Sequence, residues 1–297
     1  MLPGLWAAEL ASVACLRRLC SVMAGGTARL AAAEGEAGHE PGTGWPGPQP
    51  PAPLSFEHTR PFLHAWFERE AEQREVARDE LHRLSGWSYL STAEFRSLVA
   101  DAVHRLNPPI RDGAFVYELG IGAGAVLKTI SSLHRIRPAG CDFSPKAIQR
   151  ASEIFPAHAA AFRVGDIALP LSSKGGCAAR AGAYSHVLSF GSLAMYLTHS
   201  EMAVALRNVA KLASAGGSVA VTHFIEADGE PKGTIVAPIS RQRLRQLASA
   251  AGLTNISFHP MKYQGDRFMM TARGPRVDKS GWAGGPSPHT LPPRPTR

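Results

Sequence analysis

Long unbroken hydrophobic runs are missing from this sequence, and so is any cysteine framework. The most apolar stretch near the start, Leu2 to Met23, is cut by Glu9, Arg17 and Arg18. That is too interrupted for a membrane span, and no basic start precedes an apolar core as in a secretory signal. Only Cys15, Cys20, Cys141 and Cys177 are present, with no CxxC pair and no regular spacing. Such usage predicts a reducing, intracellular setting and no metal site. No internal repeat is visible, which excludes a solenoid. Acidic residues are scarce at the C-terminal end. Arg273, Arg276, Lys279, Arg294 and Arg297 face Asp278 alone, so half of the net charge of +8 lies there. This places the basic excess on a solvated tail rather than on a folded nucleic-acid surface.

What the sequence has in quantity is also unevenly spread. Many of its 23 prolines and 29 glycines crowd into residues 41–53 and 274–297. Segments of that kind bury too little apolar surface to offset chain entropy. The expected organisation is therefore a disordered or targeting extension over residues 1–55, a folded domain over 56–274, and a disordered basic tail over 275–297. Within the domain, helices are expected over 56–112 and an α/β core over 113–274. The Ala-rich, Arg-bearing, acid-poor opening over 1–33 fits a mitochondrial or plastid transit peptide, and equally an extension before an internal start at Met23. Without such a peptide, a cytoplasmic protein is expected.

The pattern from Arg60 to Leu84 is helical, and Ser91-Thr-Ala-Glu94 is a capping-box spacing that opens a second helix. Asn107-Pro108-Pro109 stops that helix. Short apolar runs then alternate with helical ones. Strands are predicted at 114–118, 137–141, 161–164, 185–190, 218–224, 256–260 and 267–272, with Asp266 and Arg267 turning into the last. Helices are predicted over 125–133, from Pro145 to about Phe155, from the Thr198 cap to Ala215-Gly216-Gly217, and from Ser240 to Gly252. This alternation predicts a three-layer α/β sandwich. Its seven-stranded sheet is mainly parallel and ends in an antiparallel pair, because the last two strands have no helix between them.

Gly120, Gly122 and Gly124 follow the first buried strand and open a helix, where absent side chains let backbone N–H groups approach a ligand. The turn alone fits either a dinucleotide or S-adenosylmethionine, since Gly120-x-Gly122-x-x-Ala125 also satisfies the dinucleotide fingerprint. Glu118 precedes the turn. Asp142 ends the second strand, where a carboxylate can grip ribose hydroxyls. Val164-Gly165-Asp166-Ile167 ends the third strand and pairs an acceptor with an apolar wall, as an adenine requires.

On these residues the region from about 114 to 273 resembles the class I S-adenosylmethionine-dependent methyltransferases. The resemblance implies that Glu118, Gly120, Gly122 and Gly124 hold the methionine and ribose parts of S-adenosyl-L-methionine. It also implies that Asp142 and Phe143 meet the ribose, that Asp166 and Ile167 meet the adenine, and that Ser189-Phe190-Gly191-Ser192 lines the methionine side. The fourth strand is not followed by the Asn/Asp-Pro-Pro-Tyr of nucleic-acid amine methyltransferases, so DNA is not an expected partner. Asn107-Pro108-Pro109-Ile110 imitates that motif, but it stands before the first strand, where a helix needs a stop.

An acceptor nucleophile must lose a proton, which calls for a base. His223, at the end of the fifth strand, is the first candidate, and Tyr196 and His199 after the fourth strand follow it. Trp87 and Tyr89 are read either as a lid over the cofactor and substrate or as ordinary helix–sheet packing. The expected activity is methyl transfer to a heteroatom of a small-molecule metabolite. The alternatives are a protein or RNA methyltransferase anchored by the basic tail, and a non-catalytic S-adenosylmethionine-binding regulator.

Overall fold

The structure, a computed structural model, describes residues 80–84, 87, 90–195, 197–226, 239–262 and 264–275. Expectations for residues 1–79, Tyr89, Tyr196 and the tail after residue 275 lie outside the described residues.

Leu81–Leu84 forms a short 3₁₀ turn and is followed by helix α1 (Thr92–His104). The predicted capping box is present: Ser91 Oγ accepts the Glu94 N–H at 3.3 Å, and the Glu94 carboxylate accepts the Ser91 N–H at 2.8 Å. Phe95, Leu98, Val99, Ala102 and Val103 form the buried stripe of α1, as their helical spacing requires. Asn107-Pro108-Pro109 then leads toward the sheet. The Pro108 carbonyl accepts from His186 Nε2 at 3.1 Å and from Ser218 Oγ at 2.7 Å, near the entry ends of two central strands. The imitation motif thus sits at the end of the sheet opposite the glycine turn.

The core runs β1 (Phe115–Leu119), α2 (Ala125–Ser131), β2 (Arg137–Asp142), α3 (Pro145–Ile154), β3 (Phe162–Val164), β4 (Tyr184–Phe190), α4 (Ser192–Met195) and α5 (His199–Leu212). It closes with β5 (Ala213–Ile225), α6 (Arg241–Ala250), β6 (Thr254–Met261) and β7 (Gln264–Arg273). The seven strands lie in the order β3-β2-β1-β4-β5-β7-β6. The first five are parallel to their neighbours, and β7 runs antiparallel between β5 and β6. One apolar cluster packs α1, α2 and α3 on one face, and a second packs α4, α5 and α6 on the other. This is the expected three-layer sandwich. The chain builds outward through β2 and β3, then returns to place β4 on the other side of β1, so a crevice opens at the strand ends between them.

Three sequence expectations need correction. The helix capped by Thr198 ends at Leu212, not at the glycine pair. Ala213 already pairs with Tyr184, and an added Cβ at Gly217 would lie 2.9 Å from the Ser185 carbonyl, so that glycine serves close strand approach. Asp266 and Arg267 do not form a turn, because β7 already starts at Gln264. Arg267 is buried and pairs with Ile225. Finally, Cys141 and Cys177 form a disulfide with a Cα–Cα distance of 5.6 Å. Their separation of 36 residues carries no sequence signature. They meet because β3 lies beside β2 and the loop leaving β3 folds back over it.

Candidate functional site

The glycine turn closes the end of β1. Gly120 and Ile121 donate their N–H groups to the Cys141 carbonyl at 2.8 and 3.0 Å, which anchors the turn on β2. Gly120, Gly122 and Gly124 all have positive φ (71°, 53° and 84°), a region closed to most side chains. At Gly120 there is also no room: an added Cβ would fall 2.2 Å from Ser192 Oγ. Gly124 is the N-cap of α2, with no side-chain cap.

Asp142 organises the next strand end. One carboxylate oxygen accepts the Gly122 N–H at 2.8 Å, the other accepts the Ser144 N–H at 3.0 Å, and its carbonyl accepts the Gly165 N–H at 2.8 Å. It therefore fixes the glycine turn, the N-cap of α3 and the exit of β3 together. Asp166 is half-buried and accepts the Ala168 N–H at 2.8 Å, while its own N–H is donated to Gly175. Ile167 is half-buried beside it, and Phe143 is half-buried beside Asp142.

Glu118 lies beneath this ring of groups. It is fully buried, and its Oε2 has no hydrogen-bond partner. Burial, and then the negative charge of Asp142, push its carboxyl well above the usual carboxylate range. A buried, unpartnered acceptor next to a second carboxylate suits a ligand that brings positive charge or a donor into the crevice. The residues present therefore fit S-adenosylmethionine, which carries an ammonium, a sulfonium, ribose hydroxyls and an adenine amine.

The turn after β4 is clipped down by hydroxyls. Leu193 N–H donates to Ser189 Oγ at 3.4 Å, the two hydroxyls of Ser189 and Ser192 meet at 2.9 Å, and Ser192 Oγ donates to the Leu119 carbonyl at 2.8 Å. Gly191, with φ 83°, turns the chain there beside buried Phe190. Ser189, expected to line the methionine side, also holds this turn in place through its hydroxyl.

The base candidates separate. His199 is half-buried at the first position of α5, and Tyr196 lies outside the described residues. His223 is fully buried at the end of β5 with φ 76°, where the register with β7 shifts between Val221 and Phe224. A non-glycine residue in that backbone region, placed at a bulge, is a re-aimed side chain. Its Nδ1 lies 2.5 Å from Thr222 Oγ1, which also accepts the Gly191 N–H at 3.2 Å. Its Nε2 has no partner. Burial, and then the charge of Arg267, hold the imidazole well below its ordinary pKa, so the ring is neutral at pH 7. The Trp87 ring meets it edge-on at 4.1 Å between centroids and also packs on Phe95 at 5.9 Å. Trp87 thus joins the helical layer to the end of β5. The sequence did not single out Thr222 or Met261, whose sulfur accepts the His223 N–H at 3.2 Å, and it read Arg267 only as a turn residue; the strand pairing brings them together.

Among the described residues no His/Cys/Asp/Glu cluster could hold a metal, and no helix is long and apolar enough to cross a membrane.

No family model and no curated protein matches this sequence. Solved structures match its fold. The chain solved in complex with the Haloferax volcanii Trm112 methyltransferase activator aligns with a TM-score of 0.52 at 16% identity, over 71% of this chain and 98% of that one. The magnesium protoporphyrin IX methyltransferase of Synechocystis, solved with bound S-adenosylhomocysteine, gives 0.50 at 14% identity, over 74% and 99%. The [4+2]-cyclase SpnF gives 0.52 at 15% identity, over 75% and 98%. The fold is that of the class I S-adenosylmethionine-dependent methyltransferases, and the cyclase among these structures is a reminder that function resides in the site rather than the fold.

Proposed function

We propose that this protein is an enzyme that binds S-adenosyl-L-methionine and transfers its methyl group to a heteroatom of a small-molecule metabolite. One observation carries the cofactor reading: Glu118, Asp142 and Asp166 stand at the ends of three adjacent strands around one glycine turn. A dinucleotide reading uses the turn and Asp142 but leaves the Gly165-Asp166 corner without a role. The small-molecule reading rests on the turn after β4, Phe190-Gly191-Ser192-Leu193, which offers no amide for a flipped base.

When bound, the cofactor supplies an activated methyl group on a sulfonium. The residues of this chain hold it and exclude water from it. Asp142 and Asp166 orient the nucleoside, and Glu118 sits where a cationic ligand lowers the cost of its ionisation. Thr222 Oγ1, already accepting from Gly191, accepts a hydrogen bond from His223 Nδ1–H in the tautomer that leaves an electron pair on Nε2. In that tautomer Nε2 is the group that takes the acceptor's proton. Trp87 packs edge-on against the imidazole and keeps water from that side of it.

Calorimetry with S-adenosylhomocysteine and with NAD tests the cofactor; binding of the first and not the second is expected. Labelled methyl transfer into a metabolite extract then tests the acceptor. Label entering only protein or RNA would move the acceptor to a macromolecule, and cofactor binding with no label anywhere would leave a binding protein.

A further inference from the structure

The Cys141–Cys177 disulfide lies between two of the groups assigned to the cofactor. Cys141 is the residue before Asp142, and its carbonyl anchors the Gly120 and Ile121 N–H groups. Cys177 closes the loop that begins at Gly165-Asp166. That loop doubles back on itself: Asp166 N–H donates to Gly175 at 2.8 Å, and Asp166 bridges Gly176. The fit at its base is close, since a Cβ on Gly165 would fall 2.8 Å from the Cys177 Cα. Both cysteines are fully buried, whereas Leu169, Pro170, Ser172, Lys174 and Gly175 of the loop are exposed.

Around the disulfide the two sides are unequally held. Cys141 sits in a strand bonded to β1 and β3 and cannot move without breaking the sheet. The loop carrying Asp166 has no strand partner beyond the single bridge. It is also held by the Gly165 N–H on the Asp142 carbonyl at 2.8 Å, by the buried side chains of Ala168 and Leu171, and by Asn208 on α5, whose amide donates to the Ile167 and Leu169 carbonyls at 3.1 and 2.8 Å. Two thiols need more space than one disulfide, because their sulfurs must part to van der Waals contact. The loop side is the one that can yield.

We propose that the Cys141–Cys177 disulfide is a redox-sensitive latch on the cofactor site, tight in the oxidised form and loosened by a dithiol reductant. This rests on the cofactor reading given above. In the step, a reductant thiolate attacks one sulfur of the disulfide and expels the other cysteine as thiolate. The reductant's second thiol then resolves the mixed disulfide. Two electrons and two protons pass to the protein, and the reductant leaves as its own disulfide. With both sulfurs buried, attack requires the 166–178 loop to open first. Ligand that spans Asp142 and Asp166 holds that loop shut, so the coupling is reciprocal: the disulfide strengthens binding, and binding protects the disulfide.

The test uses the full chain, purified without reductant, with the 141–177 crosslink verified by peptide mapping. S-adenosylhomocysteine affinity is measured by calorimetry before and after reduction with dithiothreitol, and on Cys177→Ser and Cys177→Ala. The expected result is a roughly tenfold loss of affinity on reduction and in both variants, with the variants insensitive to reductant. In addition, saturating S-adenosylhomocysteine should slow reduction of the disulfide about tenfold, and hydrogen exchange should rise in residues 165–178 on reduction. Equal affinity of the oxidised and fully reduced protein would overturn the latch, as would absence of the crosslink. If S-adenosylhomocysteine binds neither form, the cofactor reading itself has failed and the latch falls with it. If it binds both forms equally, the cofactor reading stands and only the latch is lost.

Discussion

The two ends of the crevice are built differently. At the β1–β3 end, each carboxylate assigned above to the cofactor stands within a few residues of a glycine and accepts from backbone N–H groups: Asp142 from Gly122 and Ser144, Asp166 from Ala168. At the β5–β7 end, the corresponding groups come from distant parts of the chain. His223 is held by Thr222, Met261 and Trp87 and lies within the field of Arg267. Backbone-anchored sites are written in short motifs, whereas side-chain-anchored sites exist only once strands pair. The first end should therefore govern cofactor affinity and the second end turnover, and this division can be broken experimentally.

The largest effect is expected at Gly120. Gly120→Ala places a methyl group against Ser192 at a φ of 71°, so both strain and overlap oppose it. S-adenosylhomocysteine binding should fall by at least about 100-fold in calorimetry, or about 2.7 kcal/mol. Near-normal affinity would show that the turn does not approach the ligand.

At the other end, His223→Gln should lower kcat by about 100-fold, at the low end of general-base effects, with S-adenosylhomocysteine affinity within about twofold of the unaltered protein. Equal loss in Kd would merge the two ends into one unit. Loss of neither would return the base role to His199 or Tyr196.

How far the sequence revealed these two ends follows from the same contrast. The sheet, its antiparallel close and the caps at Ser91, Thr198 and Ser240 were legible, because periodicity and capping are local. The glycine turn and its carboxylates were legible for the same reason. The Arg267 environment, the Ser192 bond to the Leu119 carbonyl and the Cys141–Cys177 disulfide were not, since each depends on which strands become neighbours. The end of α5 was misplaced because Gly216-Gly217 carries the signature of a helix stop but serves strand approach.

A smaller, pH-dependent effect belongs to Glu118. Its carboxyl is held protonated above the usual range by burial and by Asp142, and a cationic ligand favours its ionised form. Binding of S-adenosylmethionine should therefore release a proton, and affinity should rise with pH until Glu118 is ionised without ligand. Calorimetry in buffers of different ionisation enthalpy measures the release directly. Glu118→Gln should abolish both the release and the pH slope; a slope that persists would assign it elsewhere in the crevice.

The smallest expected effect lies in stability at the His223 end. The folded imidazole is depressed below its ordinary pKa of 6.5, while the unfolded chain retains the ordinary value. Protons therefore bind the unfolded chain preferentially. Stability is complete above pH 6.5 and is lost progressively as pH falls from there toward the depressed folded value. His186 is shifted in the same direction, chiefly by burial, so the unaltered protein has at least two groups contributing to this slope. His223→Gln removes one of them. Its Tm should fall less steeply between pH 6.5 and 5 than that of the unaltered protein, even if it starts lower through lost packing on Trp87. Parallel Tm curves would mean that His223 takes up protons equally in the folded and the unfolded chain. Its ring would then titrate like an imidazole in water, and the dry enclosure that sets the second end of the crevice apart from the first would be absent.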